Sequence, residues 1–535
     1  MSLSKFGSLL PKLILPFRFN AYNRYLSTTH VTFQNKNSEK PVQKGLLLGA
    51  FTGCEKTDVT LTPIAQRYAS EINYDFKSAL TSQLGLGPGE VRVFDNLNED
   101  YRAVAVVGLG PEPPEDVEKD KNVFQRREYV RNAAGAGAQK LQERGIDEIF
   151  VEHMLDGEAA AEGATLGVWL EQQFKNYEDQ LTESKVFLYE KGDEGKHKEM
   201  WDIGFEKAKG QNLARYLTAL PANVMTPEIF GEHCAEELCP CGVSVEVHDH
   251  NWIKSKGMEA FLAIAQGSCT PPVLVEMKYS GGGSADPIVM VGKGCTFDSG
   301  GICLTPCKTM MYQHADMAGA AVIAGVFKAL CKLKTKINLT ALLPMYENMP
   351  SENAVKTGSV LRSLNERTIR VLHPVHDGRV VLSDVLSYAA CLNPGNIINI
   401  ATLSKSMMTA MGTGASGIFA TNETHYRLLH LSGEDAGDRV WPFPFYDDIN
   451  LANAKAADFG NRNMVKGGST LFGASFLKEF VPPPPVDFMH IDITGTTISN
   501  KLFPSTYLRD GYATGRPTRS LVDFLTKLGQ AEDKE

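Results

Sequence analysis

The sequence lacks an excess of positive charge and lacks a long apolar run. Its 535 residues carry 54 basic and 63 acidic side chains, a net charge of −9, which argues against a general nucleic-acid binder. We expect no segment with the roughly 20 apolar residues that a membrane-spanning helix needs. Hydrophobic residues make up 43% and charged residues 22%. This ordinary globular composition excludes a disordered or collagen-like chain.

Acidic residues are missing from the first 38 positions, which hold five basic side chains. The same stretch is rich in Leu and Phe and carries Ser and Thr near its end. This composition is typical of a mitochondrial presequence, and we predict one at residues 1–26 with processing near residues 25–27. The alternative is a soluble N-terminal tail on a cytoplasmic protein. A secretory signal is disfavoured because Pro11, Lys12 and Pro16 interrupt the apolar run.

Closely spaced cysteine pairs are scarce. Of ten cysteines, only Cys239/Cys241 and Cys303/Cys307 lie near each other in sequence. Neither pair joins the second CxxC motif that a zinc ribbon needs. We therefore expect mostly buried, reduced thiols rather than disulfides.

Apolar segments alternate with helical ones along the chain. The pattern predicts helices at 130–145, 201–217 and 318–333, and strands at 43–50, 102–108, 148–151, 288–292, 337–343 and 397–403. Continuous apolar strands separated by helices are typical of parallel α/β sheets covered on both faces. We predict an α/β protein with an N-terminal domain at 40–195, a linker helix at 196–220 and a larger domain at 221–535. The four prolines at 482–485 predict a surface loop.

Two segments of the larger domain concentrate polar residues. The first is VGKGCTFDSGGICL at 291–304, followed by HADMAGAA at 314–321, and the second is HPVHDGRVVLSD at 373–384. They contain the candidate site residues Lys293, Asp298, Asp316, Asp377 and Arg379. Carboxylates beyond the carboxyl ends of strands suit a hard or borderline cation. Composition equally allows the two aspartates of the first segment to be turn and capping residues, with Arg379 a surface cation.

These segments resemble the leucyl aminopeptidase family of two-metal exopeptidases. Four further blocks carry the resemblance: NLARYLTALPANVMTP at 212–227, ENMPSENAVKTGSVLRSLN at 347–365, GDRVWPFPF at 437–445 and YLRDGYATGRPTRSLVDF at 507–524. The match runs across 210–527 and is weaker over the N-terminal domain. It implies a small N-terminal α/β domain, a larger catalytic-type α/β domain with a mixed sheet, and a homohexamer or a mixed hexamer with related subunits.

The resemblance also implies roles for individual residues. In that family, two divalent ions bridge the water that attacks the peptide bond. The positions that match the metal ligands are Lys293, Asp298, Asp316 and Asp377. Arg379 matches the arginine that holds the bicarbonate that shuttles the proton, and it is retained.

Three positions depart from the family pattern. Val375 stands where an aspartate ligand is usual, and Asp377 is one methylene shorter than the family glutamate that bridges both ions. Thr305 stands where the family has the lysine that polarises the scissile carbonyl. Loss of one such oxyanion-stabilising group costs roughly 10²–10³ in turnover. We therefore expect a disrupted two-metal centre that holds at most one divalent ion, zinc or manganese.

The substrate pocket is altered as well. The family block TLTGA reads TLSKS at 402–406, so that Thr402 and Leu403 are followed by Lys405 in place of a glycine. A lysine there does not suit the docking of a leucine side chain. His373, His376 and the Cys303/Cys307 pair are candidates for a rebuilt zinc site. The alternative is that these are replacements at positions free of constraint.

A presequence combined with a degraded metal site resembles the sperm leucyl aminopeptidases of insects, components of the paracrystalline material in sperm mitochondrial derivatives. The sequence thus predicts a mitochondrial protein with little or no peptidase activity and a structural role as an assembled oligomer. One alternative is an active metal-dependent aminopeptidase that releases N-terminal amino acids from peptides. Another is peptide or ligand binding in the old cavity.

Overall fold

The computed structural model describes residues 41–532 except 54–57, 83–84, 113–122, 192–194, 283–286, 447 and 452–454. The predicted presequence at 1–26 and its processing site lie outside the described residues. The nine described cysteines are free thiols.

A mixed six-stranded sheet organises the N-terminal part of the described chain. Its strands are β1 (Lys44–Thr52), β2 (Val59–Leu61), β3 (Val91–Asp95), β4 (Ala103–Gly108), β5 (Glu148–Val151) and β6 (Lys185–Leu188). The order is β3–β4–β1–β5–β6, with β2 antiparallel to β1. Four helices accompany this sheet: α1 (Pro63–Glu71), α2 (Phe76–Ser82), α3 (Val123–Glu143) and α4 (Gly157–Val168). Helix α5 (Lys198–Ala219) follows and covers most of the predicted linker segment.

A mixed nine-stranded sheet organises the rest of the described chain. Its strands are β7 (Ser244–His248), β8 (Val273–Ser280), β9 (Ile288–Gly292), β10 (Gly294–Asp298), β11 (Asn338–Asn348), β14 (Asn396–Ala401), β15 (Ser416–Ala420), β16 (Val440–Pro442) and β18 (Asp487–Asp492). The order is β16–β15–β18–β14–β9–β11–β8–β7, with β10 parallel to β11. A small third sheet contains β12 (Val360–Arg362), β13 (Thr368–Arg370) and β17 (Phe459–Gly460).

Helices accompany the nine-stranded sheet. They are α6 (Pro227–Leu238), α7 (His250–Ser255), α8 (Glu259–Ala265), α9 (Cys307–Met310), α10 (Ala318–Lys332), α11 (Asp377–Ala390), α12 (Lys405–Met411), α13 (Glu423–Ala436), α14 (Ser469–Lys478) and α15 (Thr518–Glu532). The expected α/β fold with a small N-terminal part and a larger part with a mixed sheet is confirmed. The exact domain boundaries remain predictions.

Strand β9 shows why the central strands are apolar throughout. Ile288 and Met290 point to the core that includes helix α10, whereas Val289 and Val291 point to the core that includes helix α11. Successive side chains of a strand alternate between faces. A strand covered on both faces therefore needs apolar residues at every position, and the prediction at 288–292 is confirmed.

Helix α10 is the central helix on one face of this sheet. Together with the 3₁₀ turn before it, the segment Gln313–Lys332 is long and apolar enough to cross a membrane by length and composition, contrary to our expectation that no segment would be. The structure accounts for this apolar character, because 89% of the qualifying window is buried inside the protein. Helix α10 packs so closely on α5 that a Cβ on Gly210 would lie 2.4 Å from the carbonyl oxygen of Gly325.

Charged side chains buried between the two sheets connect the halves of the molecule. Arg519 on α15 donates to Glu162 Oε2 on α4 at 2.8 Å and to Asp438 Oδ1 at 2.8 Å. Arg131 on α3 donates to the same Glu162 oxygen. All four side chains are fully buried. Each of these charges thus depends on a partner from another element, since an unpaired buried charge is costly.

Candidate metal centre

The candidate site lies at the carboxyl edge of the nine-stranded sheet. Lys293 follows β9, and Asp298 is the last residue of β10. Asp316 lies in the 3₁₀ turn Gln313–Met317 before α10, and Asp377 is the first residue of α11. Four separate elements therefore bring these residues together, as expected for a site at this edge of an α/β sheet.

Lys293 links Asp316, just before α10, with Asp377, the first residue of α11. Its Nζ donates to Asp316 Oδ2 in a short contact and to Asp377 Oδ1 at 3.3 Å. All three side chains are buried. Thr402 adds a hydrogen bond from Oγ1 to Asp316 Oδ1 at 2.5 Å. Asp316 does not cap α10 with its side chain, so the interpretation of this residue as a helix cap is wrong.

Asp377 has a second partner that the sequence reasoning missed. The phenol of Tyr346 on β11 donates to Asp377 Oδ2 at 2.7 Å, and its side chain is fully buried. Both carboxylate oxygens of Asp377 are therefore hydrogen-bonded by groups of the protein. Tyr346 was missed because it lies between the strand predicted at 337–343 and the motif block at 347–365.

Cys295 is the other residue that the sequence reasoning missed. Its Sγ and oxygens of Asp316 and Asp377 all lie within 4.8 Å of one another, and all three residues are buried. Among the described residues, this is the one His/Cys/Asp/Glu group that meets this spacing. A thiol between two aspartates is a donor set that suits zinc. Its position two residues after Lys293, at the start of β10, was the available signal.

Asp298 is held by groups around its own turn. Its Oδ1 accepts from the Gly300 N–H at 2.8 Å and from Asn348 Nδ2 at 2.7 Å. The turn interpretation is therefore correct for this residue, although its side chain also lines the pocket with the other carboxylates.

Thr305 and Val375 both lie beside this turn, next to Gly300. A Cβ on Gly300 would lie 2.9 Å from Thr305 Oγ1 and 3.0 Å from Val375 Cγ2. Gly300 has a φ of +89°, a conformation that favours glycine. Thr305 is buried and has its N–H bonded to the carbonyl of Ser299 at 2.8 Å. An apolar and a short neutral side chain therefore occupy the neighbourhood where the resemblance implies an aspartate and a lysine.

Arg379 is fully buried, so its interpretation as a surface cation is wrong. Nη1 donates to the carbonyl of Asn461 at 2.9 Å, and Nη2 donates to the carbonyl of Ser469 at 3.1 Å. Its Nε has no hydrogen-bond partner among the described residues. Burial lowers the pKa of Arg379 to about 10, which keeps the side chain cationic at neutral pH.

These residues line one pocket with a volume of about 210 Å³. Its walls include Lys293, Asp298, Asp316, Val375, Asp377, Arg379, Thr402, Leu403 and Lys405. Lys405 is exposed at the start of α12, whereas Leu403 is buried and packs in the core. The strand predicted to include Leu403 ends at Ala401, because the chain there turns toward Asp316.

The electrostatics of the site favour a divalent cation. Burial and the charges of Asp377 and Asp316 raise the pKa of Asp298 well above its usual value, and burial raises the pKa of Asp316 to about 6. Burial acts to lower the pKa of Lys293, but Asp316 and Asp377 outweigh it and raise that pKa. Around Lys293, three carboxylates face one ammonium, while Arg379 and the exposed Lys405 add positive charge at other points of the pocket wall. The residues present therefore fit one divalent ion.

The histidines and cysteines of the described chain that were candidates for a rebuilt zinc site do not gather into one cluster. His376 lines the pocket, and burial together with Arg379 lowers its pKa to about 2, so the ring is neutral. His373 Nδ1 accepts from the Val375 N–H at 3.4 Å. Cys307 is exposed, and Cys303 Sγ lies 3.9 Å from Thr357 Oγ1. Within the described chain, neither cysteine joins the buried group formed by Cys295 and the aspartates.

Fold and site together define a class of α/β proteins with two mixed sheets and a buried Lys–Asp centre that suits a divalent cation. The family models that match are the catalytic domain of the cytosol aminopeptidase family over residues 212–522 and its N-terminal domain over residues 50–177. The chain therefore belongs to the cytosol aminopeptidase family, whose members are metal-dependent aminopeptidases. This confirms the family resemblance that the sequence motifs indicated.

Individual relatives agree with this assignment. The chain is 36% identical to the human cytosol aminopeptidase over 501 residues, which covers 92% of this chain and 94% of that protein. It is 31% identical to the Dictyostelium discoideum cytosol aminopeptidase over 529 residues, covering 96% and 99%. Its fold is similar to the bottromycin maturation enzyme BotP, also solved in complex with Mn, with a TM-score of 0.76 at 25% identity and coverage of 91% and 100%.

Proposed function

We propose that this chain has little or no peptidase activity, holds at most one divalent ion, and serves as a structural oligomer. The observation that carries this proposal is that Val375 and Thr305 both lie beside Gly300, within 3.0 Å of the position that a Cβ on Gly300 would take. Neither side chain can replace a metal-binding carboxylate or a cation for the scissile carbonyl. Asp377 is also engaged on both oxygens by Lys293 and Tyr346.

A single ion would be held by Asp316 and Asp377, with Cys295 and Asp298 as neighbouring donors. When bound, it would supply positive charge that polarises a carbonyl or a water. The residues of the chain hold and orient this site, since Thr402 fixes Asp316. Because Thr305 is short and neutral, the developing oxyanion of a substrate lacks the cation that the family resemblance implies.

Active aminopeptidase function is the second candidate. The observation in its favour is that Lys293, Asp298, Asp316, Asp377 and Arg379 all line one pocket. One ion and a cationic Arg379 would then suffice for slow hydrolysis of N-terminal residues. Peptide or ligand binding without hydrolysis is a third possibility, for which the pocket of about 210 Å³ is smaller than the usual ligand site of roughly 300–1,000 Å³.

The test compares the full chain with a variant that restores the family residues, Thr305→Lys, Val375→Asp and Asp377→Glu together. Both are assayed on leucine amide with added Zn²⁺ or Mn²⁺, and bound metal is counted by mass spectrometry. We expect at most one ion on the natural chain and turnover at least roughly 10²-fold below the restored variant. The restored variant with Asp316→Asn is the matched control and should lose its activity.

Two outcomes would contradict inactivity. The natural chain could hydrolyse leucine amide as fast as the restored variant, with Asp316→Asn abolishing that turnover. It could also retain two ions. Either result favours the active aminopeptidase.

The proposed structural role also implies a cellular compartment and an oligomeric state. We place the protein in mitochondria as a homohexamer or a mixed hexamer with related subunits, and the resemblance suggests sperm mitochondrial paracrystalline material. Support for assembly comes from Leu502 and Phe503, which are 67% and 46% exposed and lie side by side against the turn at Gly412. Exposed apolar neighbours often mark protein contacts. Native mass spectrometry of the full chain and of Leu502→Asp tests this, and a monomeric natural chain would refute it.

A further inference from the structure

The sulfur of Cys295 is a buried donor atom beside two carboxylates of the candidate metal centre. Its Sγ lies within 4.8 Å of a carboxylate oxygen of Asp316 and of one of Asp377, and those two oxygens lie within the same distance of each other. The Cys295 side chain is fully buried, and its thiol is free. Among the described residues, Sγ makes no hydrogen bond. The sulfur is therefore available to a ligand that the two carboxylates also attract.

The register of β10 on β11 places this thiol next to the phenol that holds Asp377. Cys295 is the partner of Tyr346 in the parallel pairing of the two strands. Side chains of paired residues lie on the same face of a sheet, because successive residues of each strand alternate between faces. The phenol of Tyr346 donates to Asp377 Oδ2 at 2.7 Å, so thiol and phenol approach the same carboxylate. Strand pairing therefore sets the position of the sulfur at the site.

Hydroxyl groups orient both carboxylates so that one oxygen of each bonds Lys293. Asp377 accepts from Tyr346 on Oδ2 and from Lys293 Nζ on Oδ1, the latter at 3.3 Å. Asp316 accepts from Thr402 on Oδ1 at 2.5 Å and from Lys293 on Oδ2. Carboxylates that bind metal ions are commonly oriented by hydrogen bonds of this kind. Two carboxylates, one thiol and one amine supply four donor groups, which is the number that zinc usually takes.

We propose that Cys295 binds the ion as a thiolate, with Asp316 and Asp377 as the carboxylate ligands, and that this donor set selects zinc over manganese. The inference rests on the single-ion site proposed above and adds to it a sulfur ligand and a metal preference. The thiol proton passes to solvent as the bond between metal and sulfur forms. Thiolates favour zinc, whereas manganese favours sites built from oxygen donors.

The spacing of the donor atoms is close to what one zinc ion requires. Zinc binds sulfur at about 2.3 Å and oxygen at about 2.0–2.2 Å, so a sulfur and an oxygen on one ion lie at most about 4.5 Å apart. The three donor atoms of Cys295, Asp316 and Asp377 already lie within 4.8 Å of one another. Side-chain movements of a few tenths of an ångström therefore suffice to bring them onto one ion, without a change in the strands.

The experiment strips the full chain of metal with a chelator and reloads it with Co²⁺, a spectroscopic substitute for Zn²⁺. We expect one cobalt ion per chain and a thiolate-to-cobalt charge-transfer band in the near ultraviolet, which Cys295→Ser should lose. The zinc affinity of Cys295→Ser should fall by at least roughly 10-fold, the loss that follows even when a group that only orients a ligand is removed. Its manganese affinity should fall less. The matched control Cys303→Ser, at a cysteine that the sequence made a candidate zinc donor, should keep the band and both affinities.

A second measurement needs no variant, so a misfolded Cys295→Ser would not leave the question open. X-ray absorption of the zinc-loaded natural chain should show one sulfur neighbour at about 2.3 Å from the metal. Only nitrogen and oxygen neighbours, or loss of the cobalt band in Cys303→Ser instead of Cys295→Ser, would overturn the sulfur ligand and leave the single-ion site standing. A chain that binds no ion would overturn both. Turnover of leucine amide tests the proposed inactivity separately.

Discussion

Glu152 is a carboxylate that the fold buries without a charged partner among the described residues, and it makes stability depend on pH. It follows β5 and is fully buried. Its Oε2 accepts from the Gly49 N–H at 2.9 Å, and its Oε1 has no hydrogen-bond partner among the described residues. Burial raises its pKa to about 7, although hydrogen bonds from Thr62 and Gly49 act in the opposite direction.

The direction of the effect follows from the two pKa values, about 7 in the folded protein against 4.5 for an unperturbed glutamate. The folded state holds the proton more tightly, so this contribution to stability is complete below pH 4.5 and is lost as pH rises through 7. Each pH unit corresponds to about 1.36 kcal/mol, so the full difference is about 3 kcal/mol. Between pH 5.5 and 8.5, about 2 kcal/mol of it should disappear.

Glu152→Gln removes the charge and keeps an acceptor for Gly49. Urea unfolding of both proteins at pH 5.5 and 8.5 should show that the variant gains about 2 kcal/mol over the natural chain between these pH values. Glu366→Gln, at an exposed residue paired with Arg362, is the control and should change stability by at most about 0.5 kcal/mol at both pH values. If the difference between Glu152→Gln and the natural chain is the same at both pH values, the reasoning is wrong.

Three further predictions concern the junction and the site. Glu162→Gln should lower the free energy of unfolding by roughly 3–5 kcal/mol, because Arg519 loses a buried partner; urea unfolding measures this, and an unchanged midpoint would contradict it. Gly319→Ala places a Cβ 2.2 Å from the carbonyl oxygen of Ile400, so α10 must shift, and calorimetry should show weaker metal binding as well as a lower melting temperature. Zn²⁺ or Mn²⁺ at 100 times its dissociation constant should add about 2.7 kcal/mol of stability, and Asp316→Asn should abolish this gain.

The sequence predicts the sheet well where both faces are covered. The strand at 288–292 is recognisable because it packs against an apolar core on each face, so that every one of its residues is apolar. The strand predicted at 337–343 continues to Asn348. Its end was not predicted because the apolar run is interrupted there, and Tyr346 and Asn348 bond aspartates of the site. The helix predicted from 130 begins at Val123. Its start was not recognised because the first turns carry arginines whose acidic partners come from distant segments.

The sequence predicts those site residues that match motifs of the family. The family resemblance identifies Asp316 and Asp377 as metal ligands, and the structure places both beside Lys293. Tyr346 escapes prediction because it lies between the strand predicted at 337–343 and the motif block at 347–365, and Cys295 escapes it because the thiols were expected to be buried packing residues. Only the register of β10 on β11 and the position of α11 turn these side chains toward the aspartates.

The apolar helix α10 has a consequence for the making of the protein. One helix that packs on it, α15, is synthesised much later: α15 begins at Thr518, 186 residues after α10 ends at Lys332. At roughly 5–20 residues per second, a ribosome needs about 10–40 s to bridge that interval. During this time, a segment as apolar as a membrane span is present in a nascent chain without its last neighbour. During that interval, the cover of α10 consists of neighbours that are made earlier, such as α5.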